Sequence, residues 1–129
     1  MTDKVHHFLR KGARLPFSAG VQVGDLLFLS GQIGVDAEGR LAPGIRGQVD
    51  QAMANIGEAL ALAGASLSDI VKCTIMLRDM ARWDEFNAAY LAYFDVDRLP
   101  ARSAFGGVHL AFGAELEIEC IAHLTDAKE

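Results

Sequence analysis

The sequence predicts an α+β fold, a mixed β-sheet with two helices on one face. Three observations carry this: short runs of alternating polarity, two stretches of helical apolar spacing set among them, and glycine or proline at the joints. Val21-Gln22-Val23 and Leu26-Leu27-Phe28-Leu29-Ser30 flank Gly24-Asp25, which reads as a hairpin closed by a two-residue turn. From about Gly47 the period changes. Val49, Met53, Ile56, Leu60 and Ala63 recur at steps of four and three, giving one apolar helix face, and Gly64 is placed to end that helix in the left-handed conformation. Ser66-Leu67-Ser68-Asp69 has the form of a capping box that starts a single turn. Ile70 to Leu77 then alternates, with Val71, Cys73, Ile75 and Leu77 facing one way and Lys72, Thr74, Met76 and Arg78 the other. Asp79 or Arg82 lies near the start of a second helix whose apolar face is Trp83, Phe86, Tyr90 and Phe94, read as core and not as an aromatic box. Arg98-Leu99-Pro100 breaks it. The last two strands are expected from Ala101 to Phe105 and from Ala114 to Leu124. The order is ββ-α-β-α-ββ, with a further strand at Lys4 to His7 left open.

The 129 residues suit one domain spanning 1–129, long enough for a core without disulfides or metal staples. Net charge is −5 and no Lys/Arg run appears, since most basic residues stand singly, which argues against a phosphate-tracking surface for nucleic acid. No apolar run approaches the ~20 residues a membrane helix needs, and the start of the chain has no signal-type apolar region, because His6 and His7 interrupt Val5, Phe8 and Leu9. Cys73 and Cys120 read as small core residues on inward strand faces, not as a disulfide. His6, His7, His109 and His123 never stand at metal-binding spacing with carboxylates, so no metal site is expected. A reduced, cytoplasmic protein without a membrane partner is the expectation.

Two helices cover one face of such a sheet, yet Leu26 to Leu29 are apolar on both faces, and Met76 and Ile121 add to the side away from the helices. A second subunit is the economical cover, so a homo-oligomer is expected, in line with a slightly high apolar fraction of 51%. Alternation from Glu115 to Ala122 aligns Glu115, Glu117 and Glu119 on one face, roughly 6.5–7 Å apart. Carboxylates so spaced repel unless a cation, water or shared proton relieves them. Arg102 is the nearest cation in sequence, expected to be brought back by the adjoining strand. It is either an ordinary ion-pair partner or a clamp for a small anionic ligand.

Six segments in order then resemble one family: Ser30-Gly31-Gln32-Ile33, Asn55, Asp69-Ile70-Val71-Lys72, Phe86-Asn87-Ala88, Pro100-Ala101-Arg102-Ser103, and Glu117-Ile118-Glu119 with Ile121-Ala122. The chain resembles the RidA/YjgF (reactive intermediate deaminase, translation-inhibitor) family from about Phe17 to Ala122. The resemblance implies a chorismate mutase-like fold, trimers with a cleft between each pair of subunits, and no cofactor or metal. It also implies hydrolysis of 2-enamine and 2-imino acids such as 2-aminoacrylate to 2-keto acids and ammonia. By the same resemblance Arg102 grips the substrate carboxylate and Glu117 holds or activates water. Ser30 and Asn87 supply hydrogen bonds, and backbone groups near Gly31 and Ala104 complete the pocket.

Two departures stand out. Phe17 occupies the place of a common tyrosine, and Ala104 that of a common cysteine, which removes any thiol chemistry there. The segment Gly106 to Gly113 also differs from better-known members, a change that bears on substrate preference. These keep a 2-aminomuconate-type deaminase open, and a non-catalytic protein that binds small keto acids remains the alternative of a different class. Ribonuclease action is the least favoured reading, given the acidic balance.

Overall fold

The computed structural model describes residues 5–10, 12 and 14–125. Its elements are β1 (Val5–Phe8), β2 (Gly20–Val23), β3 (Leu26–Leu29), α1 (Gly44–Leu62), β4 (Ile70–Leu77), α2 (Trp83–Leu91), β5 (Ala101–Gly106) and β6 (Leu116–His123). They form one mixed six-stranded sheet in the order β1-β2-β3-β6-β4-β5, in which β4 and β5 run parallel and the other pairs antiparallel. The further strand at the start is β1; Lys4 lies outside the described residues.

Local chemistry accounts for most boundaries. Gly24 turns the β2–β3 hairpin at φ +60, the first-position glycine of a two-residue hairpin turn. Gly64 ends α1 at φ +74, with Ala65 N–H donating to Leu60 O and Gly64 N–H to Ala61 O, both at 3.0 Å. That pair of bonds is a Schellman cap. Ser66 N–H donates to Asp69 Oδ2 at 2.9 Å, the reciprocal arm of the expected box. Asp79 accepts from Ala81 N–H at 3.0 Å and opens a short 3₁₀ turn, Met80–Arg82, that runs into α2. Helix α1 begins at Gly44, earlier than the expected Gly47, because Ile45 extends the buried stripe of Val49, Met53 and Ile56 by one turn.

The helix-side face of the sheet is dry. Leu27, Ile75, Leu77, Leu116 and Ile118 meet Val49, Ile56, Leu60 and Phe86 with no exposed surface, each such side chain stabilising the fold by about 1.5–3 kcal/mol. Cys73 and Cys120 oppose each other across β4 and β6 as buried free thiols, Sγ to Sγ 3.4 Å. Polar struts fix the connections. Asn55 Nδ2 donates to Ile33 O and Val35 O at 3.2 and 3.0 Å, and Gln48 Oε1 accepts from Glu115 N–H at 2.8 Å.

Gly34 lets the segment after β3 lie against α1: a Cβ there would come within 2.6 Å of Gln48 Cα. Gly34→Ala should therefore lower the unfolding free energy by about 3 kcal/mol, since helix backbone must move. Gly57→Ala, at an open position in the same helix, should raise it by about 0.5–1 kcal/mol. Urea unfolding of the two variants checks both signs.

Candidate active site

Glu117 lies on β6 opposite Met76 of β4, on the sheet face away from the helices. Directly after β3 the chain crosses over it. Gln32 exchanges backbone hydrogen bonds with Ile118 at 2.8 and 3.0 Å, which lays Gly31 on the Glu117 carboxyl. A Cβ at position 31 would overlap Glu117 Oε2, so any side chain there would push the Glu117 carboxyl from this place. Ser30 follows the same course, and its Oγ donates to Ser18 O at 2.6 Å. The hydroxyl proton is thereby spent on tying Ser30 to the Phe17-Ser18 segment, and only acceptor capacity is left. Phe17 is half exposed beside Leu15 and Arg14. Phe17, Ser30, Gly31 and Glu117 thus belong to one cluster of connected segments.

Burial, and then the charge of Glu119 on the same face, push the Glu117 carboxyl above the usual carboxylate range. Among the described residues no cation forms an ion pair with it. The expected row of three acids is shortened. Strand β6 begins at Leu116, and Glu115 turns to Arg78 and Arg82, each 3.9 Å away. A carboxyl raised in this way makes its contribution to stability below the ordinary carboxylate pKa, and that contribution is lost as pH rises through the raised value. Glu117→Gln should therefore raise the melting temperature at neutral pH and leave it nearly unchanged at about pH 4. Thermal unfolding across pH tests the sign.

Arg102 stands elsewhere. It sits on the edge strand β5 in register with Cys73, whose side chain faces the helices. Its guanidinium lies over the Trp83 and Tyr90 rings, 4.9 and 4.8 Å from their centroids. Asn87 falls on the same helical stripe as Trp83 and Tyr90 by the i, i+4, i+7 rule. Its Oδ1 is buried with no hydrogen-bond partner. Ala104, two residues along β5 on the same face, packs against the core. Burial and the neighbouring Cys73 thiol push the Tyr90 hydroxyl far above its usual range, so it stays protonated beside the cation. Arg102, Asn87 and Ala104 make a second cluster. Sequence periodicity rightly put Trp83 and Tyr90 on the apolar face of α2, but it missed their contact with Arg102.

The two clusters do not meet within one chain. Strand β5 does not adjoin β6, as the sequence reading expected; β4 lies between them. Arg102 is level with Cys73 and Glu117 with Met76. Two strand spacings and three residues of rise separate the positions by about 14 Å, and their side chains leave opposite faces. An internal Arg102–Glu117 or Arg102–Glu119 pair, the bland alternative for this arginine, does not form.

Residues 9–124 match the sequence model of the family described as Endoribonuclease L-PSP. The chain belongs to this family, also called RidA/YjgF. Among curated relatives, a Mus musculus protein named 2-iminobutanoate/2-iminopropanoate deaminase is 40% identical over 109 residues, 83% of this chain and 80% of its own length. The solved structure of YyfA from Yersinia pestis, titled a protein of unknown function of the conserved Rid family, superposes with TM-score 0.87 at 32% identity, covering 94% of this chain and all of that one. E. coli TdcF, solved with bound serine, gives TM-score 0.83 at 28% identity over 93% of this chain and all of its own. The sheet and two helices described above are therefore the RidA/YjgF fold.

Among the described residues no helix is long and apolar enough to cross a membrane, and no cluster of His, Cys, Asp or Glu has the form of a metal site.

Proposed function

We propose that this chain hydrolyses small 2-imino acids, and their 2-enamine tautomers, to 2-keto acids and ammonia in a cleft shared by two copies of the chain. The observation that carries the reading is the Arg102 guanidinium at the sheet edge, which pairs with no carboxylate among the described residues, in a family whose relatives include a named 2-iminobutanoate/2-iminopropanoate deaminase. A half-buried cation with no carboxylate partner suits an anionic ligand, and a guanidinium offers a planar two-point grip on a carboxylate. Serine bound to TdcF is a ligand of the same size and carboxylate chemistry.

The mechanism follows from the two clusters. Arg102 holds the substrate carboxylate, and the free outer edge of β5 at Ala104 presents backbone groups beside it. Asn87, with its buried carbonyl oxygen unsatisfied, accepts a hydrogen bond from the bound ligand. Glu117 of a neighbouring copy orients a water against the imine carbon and takes its proton. The carbinolamine that forms has one new C–O bond. With the imine nitrogen protonated on entry, Glu117 returns the water proton to the amino nitrogen, the C–N bond breaks as ammonia leaves, and the carbinolamine hydroxyl gives its proton to the Glu117 carboxylate, leaving the carbonyl of the keto acid. A carboxyl held above its usual range by burial suits this shuttling. No metal or cofactor enters the scheme.

The shared cleft is supported by the uncovered sheet face. Phe28 is 42% exposed there and Phe105 47%, with Leu26, Met76 and Ile121 beside them. A second copy of this chain covers that surface in the proposed assembly, which we take as a trimer from the family resemblance. The test is keto-acid release from imino acids generated in situ by a serine or threonine dehydratase. Purified protein should accelerate it, and failure on every small 2-imino acid tried overturns the reading.

A further inference from the structure

Arg102 is held in an aromatic slot that does more than bury its carbon stem. Trp83 and Tyr90 stand seven residues apart on α2, about 10.5 Å along a helix axis. The guanidinium carbon lies over both rings, 4.9 Å from one centroid and 4.8 Å from the other. Phe86 closes the bottom of the slot, 6.0 Å from the same carbon and fully buried. Tyr90 is itself fixed, ring to ring, by Phe86 at 5.6 Å and Phe94 at 4.9 Å. Trp83 is the wall without such a brace among the described residues, and it is only partly buried.

We infer that Trp83 is a positioning residue for carboxylate recognition: by covering one face of the Arg102 guanidinium it leaves the in-plane N–H groups as the route to a ligand. A guanidinium stacked on aromatic faces keeps its fork of donors in the ring-free plane, and less rotamer freedom is lost when a carboxylate arrives. The ligand class is a small 2-oxo or 2-imino carboxylate, met edge-on. The inference rests on the carboxylate grip proposed for Arg102 and adds the residue that aims it.

Trp83 is the single tryptophan of the chain, so its fluorescence reports directly on the slot. Titration with 2-oxobutyrate should change the emission saturably in the wild type and leave it flat in Arg102→Ala. In turnover, Trp83→Leu should raise KM by about tenfold, within the range a cation–π contact commands, with kcat within twofold of wild type. Trp83→Phe should restore KM to within about twofold. An unchanged KM in Trp83→Leu, or a loss confined to kcat, overturns the inference, as does a fluorescence response that survives in Arg102→Ala. The two readings fail separately. An Arg102-dependent fluorescence response without turnover supports the slot and removes the deaminase, whereas turnover with wild-type KM in Trp83→Leu does the reverse. A wild type that neither binds 2-oxobutyrate nor turns over removes both.

Discussion

Replacing Arg102 by alanine should lower kcat/KM for a 2-imino acid by about 10²- to 10⁴-fold while the protein stays folded. Two charge-assisted hydrogen bonds contribute about 1.5–3 kcal/mol each, and each 1.4 kcal/mol is tenfold in rate. The fold should tolerate the change because Arg102 lies on an edge strand and pairs with no carboxylate among the described residues. What it loses is the contact with Trp83 and Tyr90, roughly 1 kcal/mol per ring. Arg102→Lys should recover only part of the activity, since an ammonium keeps the charge but offers neither the fork nor the stacking plane. Circular dichroism and a coupled keto-acid assay on the same samples separate folding from function. Full turnover by the alanine variant would reduce this arginine to a packing residue.

Phe28→Glu should have an effect of similar size by a different route. Phe28 projects from β3 toward the uncovered face, in register with Ile121 of β6, and away from the core formed by Leu27 and Leu29. A carboxylate there costs little in an isolated chain, where water reaches it, and costs several kcal/mol when a second copy covers it. The expected result is a particle near the 13.9 kDa of one chain by light scattering, with native circular dichroism and almost no deaminase activity. A variant that stays oligomeric, or a monomer with full activity, would contradict the shared cleft.

Much of this was legible in the sequence because it is local. Gly24 and Gly64 sit where the backbone turns left-handed, and the alternation puts Cys73, Ile75 and Leu77 inside, whereas Val71, expected on their face, is exposed because the strand's register shifts between Ile70 and Lys72. Phe28, Met76 and Ile121 lie on the face away from the helices, as their phase required. What was not legible is non-local. Alternation gives each residue a face but not each strand a neighbour, so the insertion of β4 between β5 and β6 was out of reach. The same gap hid the separation of Arg102 from Glu117, and the aromatic slot, which joins two elements through contacts 12 and 19 residues apart in sequence. Glu115 fits the alternation, yet its carboxylate goes to Arg78 and Arg82, because their positions after β4 depend on the tertiary fold. Ile45 was a missed signal: it continues the four-residue step of Val49 and Met53 and would have moved the helix start to its observed place.

The central claim is that the guanidinium and the carboxyl that act on one substrate come from different copies of the chain. Mixing tests it most directly. Arg102→Ala and Glu117→Gln chains, each inactive alone, are co-expressed in equal amounts under separate tags, and the doubly tagged oligomers are purified. In a trimer that contains both kinds of chain, one cleft of the three, roughly a third, joins an intact Arg102 to an intact Glu117 from the neighbouring copy, and activity should return to about that fraction of wild type. If both groups served the substrate from one chain, no mixed cleft would be whole, and the doubly tagged oligomers would remain as inactive as their parents.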